Sequence, residues 1–346
     1  MYKKLKQIAL GSVLFAGVIC PVFSDVGFTV LPVENTRPGG DNRWMQVSDN
    51  GVVTFMLVNN TGNRDGYTWS TANGLTKIHQ GEPLSKFVEI SNDGQVTTYA
   101  DYVYQNGQLV LETPVDVNVR SLSPDGENIG TYTNGANRYP GVLNIESGVL
   151  ETFDDPALYD YLTADFSNDS KVKLLSSVVI NFNDPSPFYL MNSTGGYDEI
   201  DRRYGSVADL SGDGKTVVGK SYFCSDSSSC TVITNLLGSV EISATFAPQG
   251  LNYDGSVAVG AQATYPNGIY GGTVWVGAIW DETNGIRDIA DVLAANGIDF
   301  SGWDNINLYD ISDNGYYIIG EGYNSEGNRQ PFLIDSAPQC SVGGVY

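Results

Sequence analysis

The sequence contains a single histidine in 346 residues, and 18 lysines and arginines against 40 aspartates and glutamates, a formal net charge of −22. The shortage of basic side chains argues against nucleic acid and anionic membranes as partners, because both carry the same sign as the chain. A Ser-His-Asp or Cys-His scheme would have to use His79, and no Gly-x-Ser-x-Gly motif accompanies it. We therefore interpret His79 as a solvent-exposed loop residue. No phosphate-binding loop or metal-ligand spacing is present, so we expect no cofactor and no metal.

Long apolar runs are absent after the N-terminus, which itself has the features of an export signal. Three lysines precede an apolar run over residues 8–20, and Val22 and Ser24 lie three and one residues before Asp25. The run is shorter than the roughly 20 residues of a membrane-spanning helix. We expect residues 1–24 to be cleaved, giving a secreted or periplasmic protein without membrane insertion. The mature chain would then carry 15 basic and 40 acidic side chains, a net charge of −25.

Cysteine is also scarce, with four in the whole chain and one of them, Cys20, inside the export signal. Cys224 and Cys230 flank a short polar loop between two strand-like runs. In an oxidising compartment this spacing favours a disulfide across the mouth of a hairpin. Cys340 is then left over in a tail, residues 337–346, that we expect to be flexible; it is either free or paired between chains.

What the sequence has in excess is glycine and tyrosine, with 40 and 21 residues, and 41% of the chain is hydrophobic. This composition excludes global disorder, because the chain has enough apolar material for a sizeable core. It is typical of many short strands joined by tight turns rather than of long charged helices.

Seven segments share one approximate pattern: an apolar residue, Ser, any residue, Asp or Asn, Gly, and then an apolar strand. Their last positions are 43, 32, 44, 44, 41 and 60 residues apart. The fourth segment ends in Ser170 instead of Gly, and the sixth has Asn252 instead of Ser. The seven segments are residues 47–51, 90–94, 122–126, 166–170, 210–214, 251–255 and 311–315.

The repeated pattern predicts a tight hairpin turn. Serine can bond to the turn backbone, Asp or Asn precedes glycine, and glycine supplies a positive φ. The carboxylates could instead form a cation-binding ring, but no segment has the alternating ligands of a calcium loop, and Asn50 and Asn314 replace Asp. We therefore interpret the repeated residues as structural. They are Ser48, Gly51, Ser91, Asp93, Gly94, Ser123, Asp125, Gly126, Asp169, Ser211, Asp213, Gly214, Asp254, Gly255, Ser312 and Gly315.

A period near 43 residues with one recurring hairpin turn is typical of a four-stranded propeller blade. We predict an all-β fold, a β-propeller of about seven blades over residues 25–336. The final repeat is one strand short of a blade, and residues 28–33 supply a strand that would close the ring. The long last interval contains a helical pattern over residues 285–296, which predicts a short helical insertion.

Residues 277–289, 292–299, 311–315 and 330–333 resemble the extracellular bacterial proteins with HAF-type repeats. In that family a Ser-x-Asp-Gly turn, a Val-x-Gly strand, an Ala-Phe-x-Trp strand and an Asp-Leu strand recur. The resemblance is close over residues 250–335. Over residues 40–250 it is looser and rests mainly on the turn motif. The histidine of the family pattern is absent. The resemblance implies a repeat fold and no reaction. A weaker similarity links Ser-Pro-Asp-Gly at residues 123–126 to the periplasmic TolB-like propeller repeats.

A few side chains outside the turns are candidates for ligand binding. Trp44 beside Arg43, and Trp303, lie in predicted loops where they could stack on a sugar or a protein partner, or simply pack. Arg202 and Arg203 form a dense charge cluster with nearby acids. This cluster is either a surface loop or part of a binding site. No turn continues as the sialidase Asp-box does, and no acid pair stands out from the repeats.

These observations favour a secreted, monomeric β-propeller that binds a glycan or protein ligand. The alternative is a secreted carbohydrate-active hydrolase or lyase on the same scaffold. The two differ in their dependence on acids, because a hydrolase should have two carboxylates whose loss abolishes turnover.

Overall fold

The fold is seen in a computed structural model of the chain. It describes residues 26–33, 45–58, 62–82, 88–133, 138–155, 158, 161–177, 188–200, 204–221, 230–235, 238–243, 245–264 and 274–336. Within these ranges the chain forms seven four-stranded antiparallel sheets and one short helix. The predicted seven-bladed β-propeller is therefore confirmed.

The first four blades each run from an inner to an outer strand in chain order. Blade 1 contains β2 (Met45–Val47), β3 (Val53–Val58), β4 (Arg64–Ser70) and β5 (Gly74–Glu82). Blade 2 contains β6 (Val88–Ile90), β7 (Val96–Tyr99), β8 (Tyr102–Gln105) and β9 (Gln108–Glu112). Blade 3 contains β10 (Val117–Leu122), β11 (Asn128–Thr133), β12 (Pro140–Asn144) and β13 (Leu150–Thr152). Blade 4 contains β14 (Tyr161–Phe166), β15 (Lys173–Ser177), β16 (Tyr189–Met191) and β17 (Tyr197–Glu199).

The remaining blades complete the ring. Blade 5 contains β18 (Tyr204–Leu210), β19 (Val217–Ser221), β20 (Cys230–Asn235) and β21 (Gly238–Ser243). Blade 6 contains β22 (Phe246–Leu251), β23 (Val257–Thr264), β24 (Val274–Asp281) and β25 (Gly285–Asp288). Blade 7 contains β26 (Asp304–Ile311), β27 (Tyr317–Tyr323), β28 (Arg329–Asp335) and, as its outer strand, β1 (Gly27–Val30). Inner strands of adjacent blades touch, and β26 touches β2, so the ring is closed.

Strand burial follows the stacking of the blades face to face. The second strands are buried on both faces, as in β7, where all four residues are buried, because each lies between two neighbouring sheets. The outer strand β9 is mostly exposed. The hydrophobic clusters accordingly lie between blades: one joins Val103 of blade 2 to Ile129 of blade 3, and another joins Val259 of blade 6 to Leu308 of blade 7. Each blade is therefore stabilised mainly by its neighbours.

The chain closes the ring by pairing its two ends, as the sequence predicts. Strand β1 is antiparallel to β28, with Phe28 opposite Ile334 and Val30 opposite Phe332. The paired strand is shorter than residues 28–33, because Leu31 and Val33 turn inward and are buried between blades 7 and 1.

The helical insertion is shorter than its pattern suggests. Helix α1 (Ile289–Ala295) begins after Asp288, whose side chain accepts a hydrogen bond from the N–H of Ala290 at 2.8 Å. Residues 285–288, which we predicted to be helical, pair instead with β24 as the outer strand of blade 6. Within the described residues, no helix is long and apolar enough to cross a membrane.

Candidate functional site

The repeated turns lie on one face of the ring, which we call the turn face. In blade 5, Ser211 Oγ donates a hydrogen bond to Asp213 Oδ1 at 2.8 Å and accepts one from the N–H of Thr216 at 2.9 Å. Asp213 Oδ1 also accepts from the N–H of Lys215 at 3.0 Å, and Gly214 has a φ of 71°. Serine and aspartate are thus bonded within the turn that contains them.

The other turns repeat this arrangement with the variations seen in the sequence. Asn50 accepts from Ser48 Oγ at 2.6 Å without a negative charge, and Asn252 Oδ1 accepts from the N–H of Val257 at 2.9 Å in place of a serine. Ser170 has a φ of 55° at the position where the other turns have glycine. The structure therefore places the repeated turn residues in hydrogen bonds within each turn and between neighbouring turns, as from the N–H of Asp213 to the carbonyl of Tyr253 at 2.8 Å. The glycines of the repeated turns that have a positive φ are Gly51, Gly94, Gly126, Gly214, Gly255 and Gly315.

The central channel is lined by side chains that our sequence analysis missed. One residue in every blade occupies the same place on the inner strand, two positions before the turn serine (Asn252 in blade 6). Four of these seven residues are acids. The channel cavity beside them has a volume of about 70 Å³. The seven residues are Gln46, Glu89, Ser121, Asp165, Asp209, Gly250 and Asp310. All of them except Ser121 and Gly250 line the channel cavity.

A β-bulge precedes this position in blades 3 to 7, where the register of the inner strand shifts by one residue. A bulge bends a strand and re-aims the side chain that follows it. The signal was present in the sequence as an acid at a constant offset from the turn serine. Only the bulged backbone shows where that acid points.

The channel carboxylates bond blades to one another. Asp165 Oδ1 accepts from the N–H of Phe166 at 2.7 Å, and its Oδ2 accepts from the N–H of Leu210 in the next blade at 3.0 Å. Asp310 accepts from the N–H of Ile311 at 2.8 Å and, across the closure of the ring, from that of Val47 at 2.9 Å. These acids therefore hold neighbouring inner strands together.

The same pattern extends to two further blades. Asp209 accepts from the N–H of Leu251 at 2.5 Å, and Gln46 Oε1 accepts from the N–H of Ile90 at 3.1 Å. Asp165 and Asp209 also share a side-chain hydrogen bond, which requires that one of the two carboxyls carries a proton. Desolvation by burial raises the pKa of both, and the charge of Asp165 raises that of Asp209 further.

Burial has the same effect on the other channel acids. It raises the pKa of Asp310 to about 8 and holds the pKa of Glu89 well above its ordinary value. At the channel mouth burial raises the pKa of Asp313 to about 6, against the opposing effect of hydrogen bonds from Asn92 and Asn168. Because Asn92 and Asn168 belong to blades 2 and 4, Asp313 of blade 7 spans the mouth of the channel.

These pKa shifts predict that the protein is more stable in mild acid than in mild alkali. A carboxyl whose folded pKa is raised stays protonated in the folded state at pH values where the unfolded chain has lost the proton. Stability therefore falls as pH rises from about 4 through the folded pKa of about 8 for Asp310. We expect the free energy of unfolding to fall by about 2–4 kcal/mol between pH 5 and pH 8.5, measured by urea denaturation.

The matched variant for this prediction is Asp310→Asn, which removes the titrating group and keeps an oxygen acceptor. Its stability should change less between pH 5 and pH 8.5 than that of the parent chain. Asp169→Asn serves as the control. Hydrogen bonds from Lys171 and Ser167 lower the pKa of Asp169 to about 2, so this carboxyl titrates below the range from pH 5 to pH 8.5. An equal pH dependence in the parent chain and Asp310→Asn would contradict the assignment.

The candidate ligand residues from the sequence do not converge on one site. Trp303 stacks on Phe300 with ring centroids 5.4 Å apart, and its ring packs edge-on against Phe28 and Phe332. Trp303 lies in the loop after the insertion and packs against blade 7, which is one of the two roles that the sequence left open for it. Trp44, Arg43, Arg202 and Arg203 lie outside the described residues.

His79 lies on strand β5, which corrects our interpretation of it as an exposed loop residue. Its Nδ1 is 2.6 Å from the hydroxyl of Tyr104, and its ring lies against that of Tyr102 with centroids 4.9 Å apart. Tyrosines of blade 2 therefore surround a histidine of blade 1. Within the described ranges, no group of three or more His, Cys, Asp or Glu residues has the arrangement of a metal site.

Two grooves on the turn face flank blade 2. The groove between blades 2 and 3, which we call the acidic groove, has a volume of about 640 Å³ and is lined by Asp93, Asp125, Glu127 and Glu146. The groove between blades 1 and 2, the neutral groove, has a volume of about 530 Å³, and the described residues that line it are all uncharged. Both are far larger than the channel cavity.

Comparison with known proteins agrees with the fold. The chain is similar to the β-propeller domain of the trilobed protease from Pyrococcus furiosus, with 10% identity, a TM-score of 0.56, and 84% of this chain and 93% of that chain covered. It is similar to the Myceliophteria thermophila Cps50 (Swd1) β-propeller domain, with 12% identity, a TM-score of 0.53, and 88% and 99% covered. TolB from Acinetobacter baumannii matches at 13% identity and a TM-score of 0.40 over 82% and 80%.

The fold, together with the first two similarities, defines the chain as a seven-bladed β-propeller. No family model and no curated protein sequence matches it. The resemblance to the HAF-type repeat proteins stays a prediction.

Proposed function

We propose that this protein is a secreted binding module whose ligand surface is the turn face beside blade 2. The observation that carries the proposal is the pair of grooves flanking that blade, of about 640 and 530 Å³. Ligand sites commonly have volumes of about 300–1,000 Å³. Blade 2 has short strands and a tight β8–β9 turn at Asn106-Gly107, and this small outer hairpin leaves a groove on either side.

The central channel is a poorer candidate for a ligand site. A cavity of about 70 Å³ accommodates a few water molecules. Its mouth is spanned by the hydrogen bonds of Asp313, and its carboxylates accept backbone N–H groups from adjacent blades. Acids in this arrangement support the ring, and a substrate would have to displace those bonds to reach them.

One observation favours the alternative, a carbohydrate-active hydrolase. Asp165 and Asp209 share a hydrogen bond, and burial raises the pKa of both, as in pairs of carboxyls that share one proton. The alternative requires turnover of a polysaccharide by the purified chain that is lost in Asp209→Asn. The binding proposal expects no turnover in either protein.

The two grooves suit different ligands. The neutral groove is lined by amide and hydroxyl side chains, among them Asn73, Gln95 and Thr76, which suits the hydroxyl groups of a glycan. The acidic groove suits a basic segment of a protein. The net charge of the chain disfavours anionic ligands at both sites.

The binding proposal is tested by screening residues 25–346 on a glycan array and on a peptide array, together with a pool of polysaccharide substrates. We expect a ligand whose binding is weakened by Asn73→Ala with Thr76→Ala, or by Glu127→Gln with Glu146→Gln. Each pair serves as the control for the other, because they lie in different grooves. Absence of any ligand, with turnover that depends on Asp209, would overturn the proposal in favour of the hydrolase.

Secretion is part of the proposal and rests on the N-terminal sequence. When the full chain is expressed with its own N-terminus in a bacterial host, N-terminal sequencing of the exported protein should begin at Asp25. Light scattering of that protein should give the mass of a monomer. Retention of residues 1–24 would contradict the export signal.

We also predict that Cys224 and Cys230 are bonded in the exported protein. Cys230 is buried at the start of β20, and Cys224 lies outside the described residues, so the pairing stays a prediction. Because the loop is short, removing the bond by Cys224→Ser should destabilise the protein by only about 2–3 kcal/mol. Peptide mass spectrometry without reduction should find the two residues in one linked species. Two free thiols would contradict the pairing.

A further inference from the structure

We propose that the acidic groove binds an extended peptide segment carrying lysine or arginine side chains. This inference rests on the proposed function and names the partner class for one of its two grooves. It is drawn from the shape, charge and apolar surface of that groove.

The acidic groove is built from turns that are fixed by hydrogen bonds. One side is the turn of blade 3, where the N–H of Ile145 donates to the carbonyl of Glu127 at 2.9 Å. The other side is the β8–β9 hairpin of blade 2, where the N–H of Asn106 donates to the carbonyl of Gln95 at 2.8 Å. Both sides are therefore ordered before any ligand arrives, which lowers the entropic cost of binding.

The charges of the groove have one sign. Asp93 and Asp125 are held in their turns, and Asp125 Oδ2 also accepts from Ser170 Oγ at 2.8 Å. Glu127 and Glu146 are exposed and form no ion pair within the described part of the chain. Among the described residues no lysine or arginine lines the groove, so two glutamates remain available to a basic ligand.

The apolar surface beside these acids points to a peptide. Val110 is 48% exposed, lines the groove and lies on β9, the outer strand of blade 2. The outer edge of β9 pairs with no other described strand. An extended peptide can bond to such an edge while its alternate side chains contact the groove. A ligand with basic and apolar side chains in alternation satisfies all three features.

The neutral groove provides an internal comparison. It lies on the other side of the same blade and has a similar volume, and its lining is uncharged in the part of the chain that the structure describes. A basic peptide should therefore distinguish between two grooves that differ mainly in charge.

The experiment uses the mature chain and a fluorescein-labelled octapeptide of alternating lysine and valine, with binding followed by fluorescence anisotropy in 50 mM NaCl. The double variant Glu127→Gln with Glu146→Gln should raise Kd at least tenfold, and Val110→Ser should raise it about threefold. The control Glu282→Gln with Glu326→Gln removes the same two charges from exposed turns elsewhere and should change Kd by less than twofold. A peptide of alternating glutamate and valine should not bind.

Binding should weaken as NaCl is raised to 300 mM, because exposed charges are screened. Equal losses in the Glu127/Glu146 and Glu282/Glu326 variants would show that attraction is spread over the whole surface and would overturn the inference. A failure of the basic peptide to bind, while another ligand binds at the neutral groove, would overturn the inference and leave the proposed function standing. Thermal midpoints within about 2 °C of the parent chain confirm that the variants are folded.

Discussion

Deletion of residues 25–36 from the mature chain is expected to lower the free energy of unfolding by about 5–8 kcal/mol. The segment contains β1, the outer strand of blade 7, and three side chains packed between blades: Phe28, Leu31 and Val33. Burial of an apolar side chain of this size contributes about 1.5–3 kcal/mol. The deletion also exposes the edge of β28, which becomes a site for aggregation.

Single substitutions in this segment measure how much one buried side chain contributes, apart from the loss of the whole strand. Leu31 is fully buried, so Leu31→Ala should destabilise the protein by about 2–5 kcal/mol. Val30 is 39% exposed on the adjacent position, so Val30→Ala should cost less than about 1 kcal/mol. Unfolding is measured by urea denaturation with tryptophan fluorescence. A deletion variant as stable as the parent chain would show that β1 does not close the ring in solution.

Replacing Glu321 with alanine is expected to destabilise the protein by about 3–5 kcal/mol. Glu321 on β27 is fully buried, and its carboxylate accepts hydrogen bonds from the guanidinium of Arg329 and the hydroxyl of Tyr309. Removal of one partner leaves the other charge buried without compensation, which is the costly way to break a buried ion pair. The pair links β26, β27 and β28 at the blade where the ring is closed.

Two comparisons test the physical cause of this loss. Glu321→Gln keeps an oxygen acceptor for Arg329 and Tyr309, so it should destabilise less than Glu321→Ala. The exposed pair of Lys171 and Asp169, 2.8 Å apart, lies in water, and Lys171→Ala should change stability by less than about 1 kcal/mol. Equal effects at the buried and exposed pairs would contradict the role assigned to burial.

The sequence predicts much of the fold because the repeated signal is local. Ser211, Asp213 and Gly214 form a turn whose side-chain hydrogen bonds are contained within six residues, and the same spacing recurs in six other segments. A turn of this kind specifies a hairpin wherever it occurs. The period between turns then sets the number of strands in a blade, and the missing strand of the last repeat predicts closure by β1.

The candidate site was less predictable, because its parts are far apart in the chain. We missed the channel acids, since Asp165, Asp209 and Asp310 have no local motif beyond a constant distance from the turn serine. We placed His79 in an exposed loop, although it lies on β5 and its ring packs against that of Tyr102 on β8. For Trp303 the sequence left ligand binding and packing open, and in the structure its ring packs against those of Phe28 and Phe332. A single-sequence pattern indicates the residue type and not the neighbour that covers it.

The sequence by itself determined the turns, the blade period, the strand that completes blade 7 and the acidic charge. Those properties depend on backbone preference and composition, which act over a few residues or over the whole chain. Only the tertiary structure decided which carboxylates are buried and which face solvent. Asp310 accepts a hydrogen bond from the N–H of Val47 because closure of the ring brings their strands together. Glu127 and Glu146 stay exposed because the small outer hairpin of blade 2 leaves a groove beside them. Contacts between residues 263 positions apart follow from closure, and no local preference specifies them.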